Sequence, residues 1–502
     1  MKKPLSSNRL KVHSLGIDTY LENNIYIHSD SPICHSEGFT TFTRLMVHYK
    51  GKRIIASLNF VHSDILKENI VSLSEIALKR LKVKDGDFVT ISHLQPLKSM
   101  SDVRAKMYHE KISKEAYNRI ISDITEGLYS DIEIAAFIVA CTGNNLDLGE
   151  IIWLTEAMMN SGAKINWNQK IILDKHCIGG LPGNRTTPIV VAIVAAAGLL
   201  IPKTSSRAIT SPAGTADTME TITNVNLSVN EIKKVVKSEN GCFAWGNLAK
   251  LSPADEIMIQ VEKALDIDSE SQMIASVLSK KLAAGSTHVV IEIPYGKTAK
   301  VRTHEEALKL QYYFKAVGEA INLNIKVLIT DGSQPIGRGI GPSLEAMDVL
   351  SVLKNEKNAP IDLKEKALLI AGTLLELSGK IEIGKGFEES TKILESGQAF
   401  LKFKRICLAQ GRFSEPKTAK FKKDIKSTKS GMVVEIDNRK LAKIAKLAGA
   451  PHYPSAGIYF NSPLGTKVQE GDTLFSIYSE SEGKLNYTIE YLKSVDEIIK
   501  II

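Results

Sequence analysis

The feature that most constrains the fold is a glycine-rich segment, Asp174–Pro188, that lies between two apolar runs. The run before it, Lys170–Leu173, predicts a strand, and the run after it, Ile189–Ala197, predicts a buried helix. Three glycines in the segment allow positive φ and a close approach of the backbone to a ligand. Thr187 followed by Pro188 predicts an N-cap and first turn, so the helix should point its unpaired N–H groups into the loop.

This strand–loop–helix unit has two interpretations. One is an anion site, because a helix N-terminus favours phosphate and because Lys175 and His176 would supply a cation and a base beside it. The other is a simple chain reversal, which glycine-rich turns commonly provide. A Walker loop is excluded because no Gly-Lys-Ser/Thr follows the glycines, and the glycine spacing of dinucleotide-binding folds is absent.

Composition indicates an ordinary soluble globular protein, with 43% hydrophobic and 24% charged residues. The five cysteines show neither CxxC nor Cys/His ligand spacing, which argues against zinc and disulfides and favours a reducing, cytoplasmic location. The longest apolar run, Ile189–Ile201, is shorter than the ~20 residues that span a bilayer. The lysine-rich run Lys417–Lys429 is interpreted as a solvated linker face, so neither a membrane nor a nucleic acid is expected as a partner.

The predicted fold class is α/β, because strands and helices alternate through the central part of the chain. It would combine a helical domain with a large mixed α/β domain, a small N-terminal β-rich domain and a C-terminal α+β subdomain. The expected boundaries are 1–92 for the β-rich domain, 93–165 with 252–284 for the helical domain, 166–251 with 285–425 for the α/β domain, and 426–502 for the last subdomain.

Two further segments carry polar groups that could bind a ligand. The loop Lys203–Asp217 concentrates hydroxyls around Arg207, which suits phosphate and sugar oxygens but equally describes a polar surface loop. Ser276 and Lys280 are four residues apart and would share one face of a helix, either in a binding site or in an ordinary polar stripe. Asp268, just before that helix, could simply complement the helix dipole.

Taken together, these segments resemble the thymidine/pyrimidine-nucleoside phosphorylase family. Its Lys-His-x-x-Gly-Gly loop begins here at Lys175, its Ser-Ser-Arg-Ala-Ile-Thr-Ser-x-Ala-Gly-Thr-Ala-Asp segment at Ser205, and its Ser-x-Leu-Ser-Lys-Lys-x-Ala-Ala-Gly segment at Ser276. The likeness covers residues 95–502 and is closest to the long branch, which contains type 2 thymidine phosphorylases and AMP phosphorylases. The additional N-terminal domain is itself a mark of that branch.

The resemblance implies a helical domain facing an α/β domain, a homodimer, and specific roles for individual residues. Inorganic phosphate would be held by Lys175, Thr187, Ser205 and Thr215. The nucleoside or nucleotide would be contacted by Gly180, Ser206, Arg207, Ala208, Ile209, Thr210, Ser211, Ser276, Lys280 and Lys300, with Lys280 near the base. Asp268 falls at the position of the proton donor, and His176 matches the histidine near the scissile bond.

Two departures from the family pattern bear on specificity. Cys177 replaces a serine that usually follows the Lys-His pair, which removes a hydroxyl donor to phosphate. The segment Gln260–Lys263 offers no arginine where the short thymidine phosphorylases carry one that binds the base. The resemblance therefore leaves the nucleoside or nucleotide substrate open.

The expected reaction is a pentosyl transfer in which phosphate attacks the anomeric carbon while the base departs, through an oxocarbenium-like transition state. Lys175 and the glycine loop would position the anion, and Asp268 or His176 would protonate the base. Thymidine is the nominal substrate, giving thymine and 2-deoxyribose 1-phosphate, with AMP as the alternative, giving a free base and ribose 1,5-bisphosphate. No metal or organic cofactor is expected. The rival classes are a nucleotide-dependent oxidoreductase and a non-catalytic nucleotide-binding protein.

Overall fold

The computed structural model describes residues 9–19, 22–143, 145–208, 211–246, 251–265, 267 and 269–502. The chain divides into two compact units, 1–140 and 141–502.

The first unit contains a closed β-barrel with the strand order β1-β5-β2-β4-β3-β6. Its strands are β1 (Arg9–Val12), β2 (Asn24–His28), β3 (Arg44–Tyr49), β4 (Lys52–Val61), β5 (Ile70–Leu73) and β6 (Phe88–His93). Buried residues alternate with exposed ones along β1 and with half-buried ones along β2. This alternation places one set of side chains, such as Ile25 and Ile27, in the barrel interior. The β-rich character predicted for this region is confirmed.

The first unit also contains helices. They are α1 (Pro32–Glu37), α2 (Glu75–Leu81), α3 (Ser99–Met107), α4 (Lys114–Thr125) and α5 (Asp131–Ala140). The helical pattern predicted to begin near Ser101 is confirmed in α3 to α5. α4 shows why the pattern was readable, since its buried residues recur at helical spacing and its N-cap Ser113 accepts a hydrogen bond from the N–H of Ala116.

The second unit is built around parallel strands. They are β7 (Leu173–Cys177), β8 (Ile201–Ser205), β9 (Gly241–Trp245), β10 (His288–Tyr295) and β11 (Asn324–Asp331). They pair as β11-β10-β7 and β8-β9, and a parallel bridge from Ile172 to Leu200 connects the two groups. The predicted parallel sheet is confirmed, and its strands all end at one edge, where ligands bind in open α/β sheets.

Helices alternate with these strands. They are α6 (Leu148–Asn160), α7 (Thr186–Ala196), α8 (Thr215–Glu220), α9 (Val229–Glu239), α10 (Pro253–Leu265), α11 (Glu270–Ala283), α12 (His304–Ala320), α13 (Pro342–Leu353), α14 (Ile361–Leu377), α15 (Gly386–Glu395) and α16 (Gln398–Ala409). α7 is buried on every side, with Ile189–Ala195 at most 1% exposed, as its uninterrupted apolar sequence predicts.

A mixed set of elements closes the chain. It comprises β12 (Gly339–Ile340), β13 (Phe421–Lys426), β14 (Gly431–Ile436), α17 (Asn438–Ala448), β15 (Gly457–Phe460), β16 (Lys467–Val468), β17 (Thr473–Ser479), α18 (Glu482–Ser494) and β18 (Ile499–Ile501). The interpretation of Lys417–Lys429 as a linker is wrong over β13, which pairs with β17 at the edge of a four-stranded sheet. Local sequence concealed this strand because an edge strand keeps lysines exposed.

Two local predictions around the glycine-rich segment are also wrong. The strand runs from Leu173 to Cys177 rather than over Lys170–Leu173, so Lys175 and His176 lie on the strand itself. The helix begins at Thr186 with Arg185 as its N-cap, so Thr187 is not the cap. Polar side chains ordinarily mark the end of a strand or helix. In both cases here they form hydrogen bonds or ion pairs with residues elsewhere in the chain, so the strand and the helix include them.

Among the described residues, no helix is both long and apolar enough to cross a membrane.

Candidate active site

The end of β7 carries a buried lysine that is held by two neighbouring elements. Lys175 is 1% exposed, and its Nζ donates to Thr186 Oγ1 at 2.7 Å and lies 3.3 Å from Glu292 Oε2 of β10. Glu292 also contacts Lys366 Nζ at 3.2 Å and accepts from Asn184 Nδ2 at 3.2 Å. Burial alone would raise the pKa of Glu292, but Lys175 and Lys366 outweigh it and lower the pKa to about 2.

A second buried cluster surrounds Asp174, the residue before that lysine. Lys281 Nζ of α11 donates to Asp174 Oδ2 at 2.7 Å, and Lys203 Nζ of β8 lies 3.2 Å from Oδ1. Burial opposes ionisation of Asp174, yet the two lysines hold its pKa below the ordinary value. Across both clusters four buried or nearly buried lysines face two carboxylates. Burial lowers the pKa of Lys203 to about 7, so that this lysine is only partly charged near neutral pH, but the other three still leave positive charge in excess at this edge of the sheet.

His176, the residue after Lys175, is held in its neutral form. Burial lowers its pKa well below the ordinary value, and the charges of Lys281, Lys203, Lys280 and Lys175 lower it further. A neutral imidazole can donate one hydrogen bond and accept another, but it is a poor source of a proton for a departing base.

The glycine loop after β7 is shaped by close backbone approaches. Gly180 has φ 82°, and a Cβ at that position would lie 2.5 Å from the backbone N of Lys300. Gly183 has φ 70°, and a Cβ there would lie 2.2 Å from the carbonyl oxygen of Ile336. Glycine is therefore required at both positions, and the loop brings Lys300 beside the strand end.

The loop after β8 contributes hydroxyl groups. Ser205 Oγ, at the end of β8, is buried and has no hydrogen-bond partner among the described residues, so it is available to a ligand. Arg207, predicted to contact the nucleoside, donates to Glu220 and Asp217, and its guanidinium carbon lies 4.6 Å from the centroid of the Trp245 ring. These contacts fix the loop, and a contact between Arg207 and the nucleoside stays a prediction.

The carboxylate of Asp217 holds the two ends of the loop after β8 together. The N–H groups of Ala208 and Gly214 both donate to Asp217 Oδ2, at 2.7 and 2.9 Å. Ser211 Oγ donates to the carbonyl oxygen of Ala213 at 3.0 Å. These bonds tie both ends of the loop, near Ser206 and near Thr215, to the start of α8.

The predicted pair on α11 is brought together. Lys280 Nζ donates to Ser276 Oγ at 2.9 Å and to Asp255 Oδ2 of α10 at 2.8 Å. The charge of Lys280 also contributes to the lowered pKa of His176. Thr187 is buried in the first turn of α7.

Three predicted residues, Ile209, Thr210 and Asp268, lie outside the described residues.

Sequence reasoning missed several residues of this site, namely Asp174, Thr186, Glu292 and Lys366. It also missed Arg185, which donates to Thr215 Oγ1 at 2.8 Å and to Glu345 Oε2 at 2.7 Å. One signal was present for Glu292, which interrupts the otherwise apolar run His288–Ile293 at a position that a central strand buries. A buried carboxylate requires a cationic partner, so this position predicts an ion pair, although not which lysine provides it.

The chain matches three family models. They are the a/b domain of a glycosyl transferase family over residues 169–400, its helical bundle domain over 103–162, and the C-terminal domain of pyrimidine nucleoside phosphorylases over 432–499. A Legionella pneumophila (strain Paris) protein is 51% identical over 494 residues, covering 98% of this chain and 96% of its own. The chain belongs to the thymidine/pyrimidine-nucleoside phosphorylase family.

A second relative, from Ralstonia nicotianae, is 50% identical over 484 residues, which are 96% of both chains. Both relatives carry the name "Putative thymidine phosphorylase". Among solved structures, anthranilate phosphoribosyltransferase from Thermus thermophilus superposes with a TM-score of 0.52 at 18% identity, over 61% of this chain and 98% of its own. That likeness concerns the fold alone.

The family confirms a pentosyltransferase-type enzyme of the nucleoside phosphorylase class. It also confirms the predicted combination of helical, α/β and C-terminal domains. This result favours the transferase prediction over the oxidoreductase and the non-catalytic binding protein.

Proposed function

We propose that the enzyme cleaves thymidine with inorganic phosphate to give thymine and 2-deoxyribose 1-phosphate. The observation that carries the proposal is the excess of buried positive charge around Lys175, next to a glycine loop and the unpartnered hydroxyl of Ser205. Such an arrangement stabilises a dianionic nucleophile without using a covalent enzyme intermediate. The names of the relatives support thymidine as the substrate.

The proposed phosphate ligands are Lys175, Thr187, Ser205 and Thr215, and the proposed nucleoside ligands include Ser276, Lys280 and Lys300. A lysine ammonium has three N–H donors. In Lys175 one donates to Thr186 Oγ1, and the ammonium also forms an ion pair with Glu292, which occupies at most one more. At least one donor therefore remains for a phosphate oxygen. No metal or organic cofactor enters the proposed reaction.

Asp268 is proposed as the proton donor, with His176 as the competing candidate. The lowered pKa of His176, caused by burial and then by its lysine neighbours, makes a protonated imidazole scarce at neutral pH. A carboxyl group serves as the donor at neutral pH only where burial raises its pKa, and we propose that a closed substrate cleft does so at Asp268, the family position of the donor.

The alternative substrate is AMP, because the absence of an arginine in Gln260–Lys263 argues against strict specificity for pyrimidines. The discriminating experiment is a phosphate-dependent base-release assay over thymidine, uridine and AMP. Thymidine is expected to give the highest kcat/KM. Faster release of adenine from AMP would overturn thymidine in favour of the nucleotide.

We also propose a cytoplasmic homodimer, as the family resemblance implies. Light scattering during size-exclusion chromatography tests the dimer, for which a mass near twice 55.1 kDa is expected.

A further inference from the structure

Arg185, the N-cap residue of α7, connects three separate elements around the proposed phosphate site. Its guanidinium is largely buried, with 12% of the side chain exposed. Nη1 donates to Thr215 Oγ1 at 2.8 Å, Nη2 donates to the carbonyl oxygen of Ala213 at 3.0 Å, and Nε donates to Glu345 Oε2 at 2.7 Å. One side chain thus holds the loop after β8 and the helix α13 at fixed distances from the glycine loop.

The direction of the bond to Thr215 determines what that hydroxyl can do. A guanidinium can only donate, so Thr215 Oγ1 must accept, and its single O–H hydrogen remains available to donate elsewhere. An anion requires a donor, so this polarity suits phosphate. Thr186 shows the same arrangement, because its Oγ1 accepts from Lys175 at 2.7 Å.

We propose that Arg185 is a positioning residue that fixes the Thr215 hydroxyl as a hydrogen-bond donor to the phosphate co-substrate. The inference rests on the proposed function, since it requires that Thr215 contacts phosphate. Arg185 acts through Thr215 and the carbonyl of Ala213, and it does so from a site that the resemblance to known phosphorylases did not assign.

Glu345 holds the guanidinium from the other side. Its carboxylate is 1% exposed, and it accepts from the N–H of Gly341 at 3.2 Å and from Thr218 Oγ1 at 3.3 Å. Thr218 lies one turn after Thr215 on α8, so Glu345 contacts the same helix that Arg185 orients. A planar guanidinium held by three acceptors on different elements has little freedom to turn, which a lysine ammonium could not reproduce.

The test combines Arg185→Lys with Thr215→Val in the full-length enzyme. Each single variant is expected to raise the phosphate KM about tenfold or more, as loss of a charge-assisted hydrogen bond does, while the nucleoside KM changes little. In the Thr215→Val background, Arg185→Lys should add less than about threefold, because the hydroxyl it orients is already absent. Thr215→Ser retains the hydroxyl and should keep the phosphate KM of the parent enzyme.

Arg338→Lys is the matched control, because Arg338 donates a comparable hydrogen bond to Asp362 Oδ2 at 3.1 Å. This variant is expected to leave the phosphate KM unchanged. Fully multiplicative effects of Arg185→Lys and Thr215→Val, or equal rises of both KM values, would overturn the positioning role. If Arg185→Lys does not fold, Arg185→Gln replaces it in the same cycle. Absence of phosphorolysis in the parent enzyme would instead contradict the proposed function, so the two failures are distinguishable.

Discussion

Replacing Glu292 with glutamine removes the negative charge that two buried lysines share while changing the side-chain shape very little. In the parent enzyme the carboxylate lies 3.3 Å from Lys175 Nζ and 3.2 Å from Lys366 Nζ. At an effective dielectric constant of ~20, each contact corresponds to ~5 kcal/mol of attraction before desolvation is subtracted. Desolvation removes much of this, and breaking a buried pair by deleting one partner costs ~3–5 kcal/mol of stability.

The expected result for Glu292→Gln is a marked fall in Tm. At ~2–4 °C per kcal/mol for a domain of this size, the fall should be ~6–20 °C when measured by calorimetry near neutral pH. Glu388→Gln is the matched control, because Glu388 pairs with Lys392 at 2.8 Å on an exposed helix surface and should leave Tm nearly unchanged.

The pH dependence of this difference follows from the lowered pKa of Glu292. Burial opposes ionisation, but Lys175 and Lys366 bring the folded-state pKa to about 2, below the value of the unfolded chain. The stabilisation is therefore fully present above the unfolded pKa of ~4.3 and is lost as the pH falls through about 2. The Tm gap between parent and variant should stay constant from about pH 8 to about pH 5 and narrow in stronger acid. Equal Tm values at neutral pH would refute the role assigned to the buried carboxylate.

Three further predictions concern the proposed chemistry. Lys175→Ala should raise the phosphate KM far more than the nucleoside KM, because it removes a charge-assisted hydrogen bond of ~1.5–3 kcal/mol to phosphate. Steady-state kinetics with varied phosphate tests this expectation. Cys177→Ser should keep or raise kcat, because burial first and then Glu292 raise the thiol pKa to about 11 and leave little thiolate; near-complete loss of turnover in the folded variant would contradict this. Asp268→Asn should lower kcat by ~10²–10⁴ with modest change in KM, whereas near-normal turnover together with an inactive His176→Gln would move the donor role to the histidine.

The larger elements could be predicted because their signals are local. α7 is an unbroken apolar run followed by a small-residue turn, and the strands β10 and β11 are mainly apolar segments, each interrupted by one charged residue. The course of β7 could not be predicted, because Asp174 and Lys175 resemble loop residues until their partners are known. Those partners, Lys281 and Glu292, lie more than a hundred positions further along the chain, and only the folded sheet brings them together.

The candidate site shows the same division between local and distant information. The motif residues Ser276 and Lys280 share a helix face, as their spacing of four predicts. The sequence could not indicate that Arg207 is occupied by Glu220 and Trp245, or that Arg185 contacts Thr215, because both depend on how loops pack. Hydrogen-bond polarity at Thr215 is likewise a property of the fold and not of the motif.

The central claim is that phosphate is the nucleophile and that it is held at the end of β7. The most direct measurement is phosphorus-31 NMR of the enzyme with thymidine and inorganic phosphate, together with quantification of thymine. The account predicts that a sugar 1-phosphate resonance grows in equal amount to the thymine released, and that Lys175→Ala suppresses both. Thymine release without consumption of phosphate, or an unaffected rate in Lys175→Ala, would contradict it.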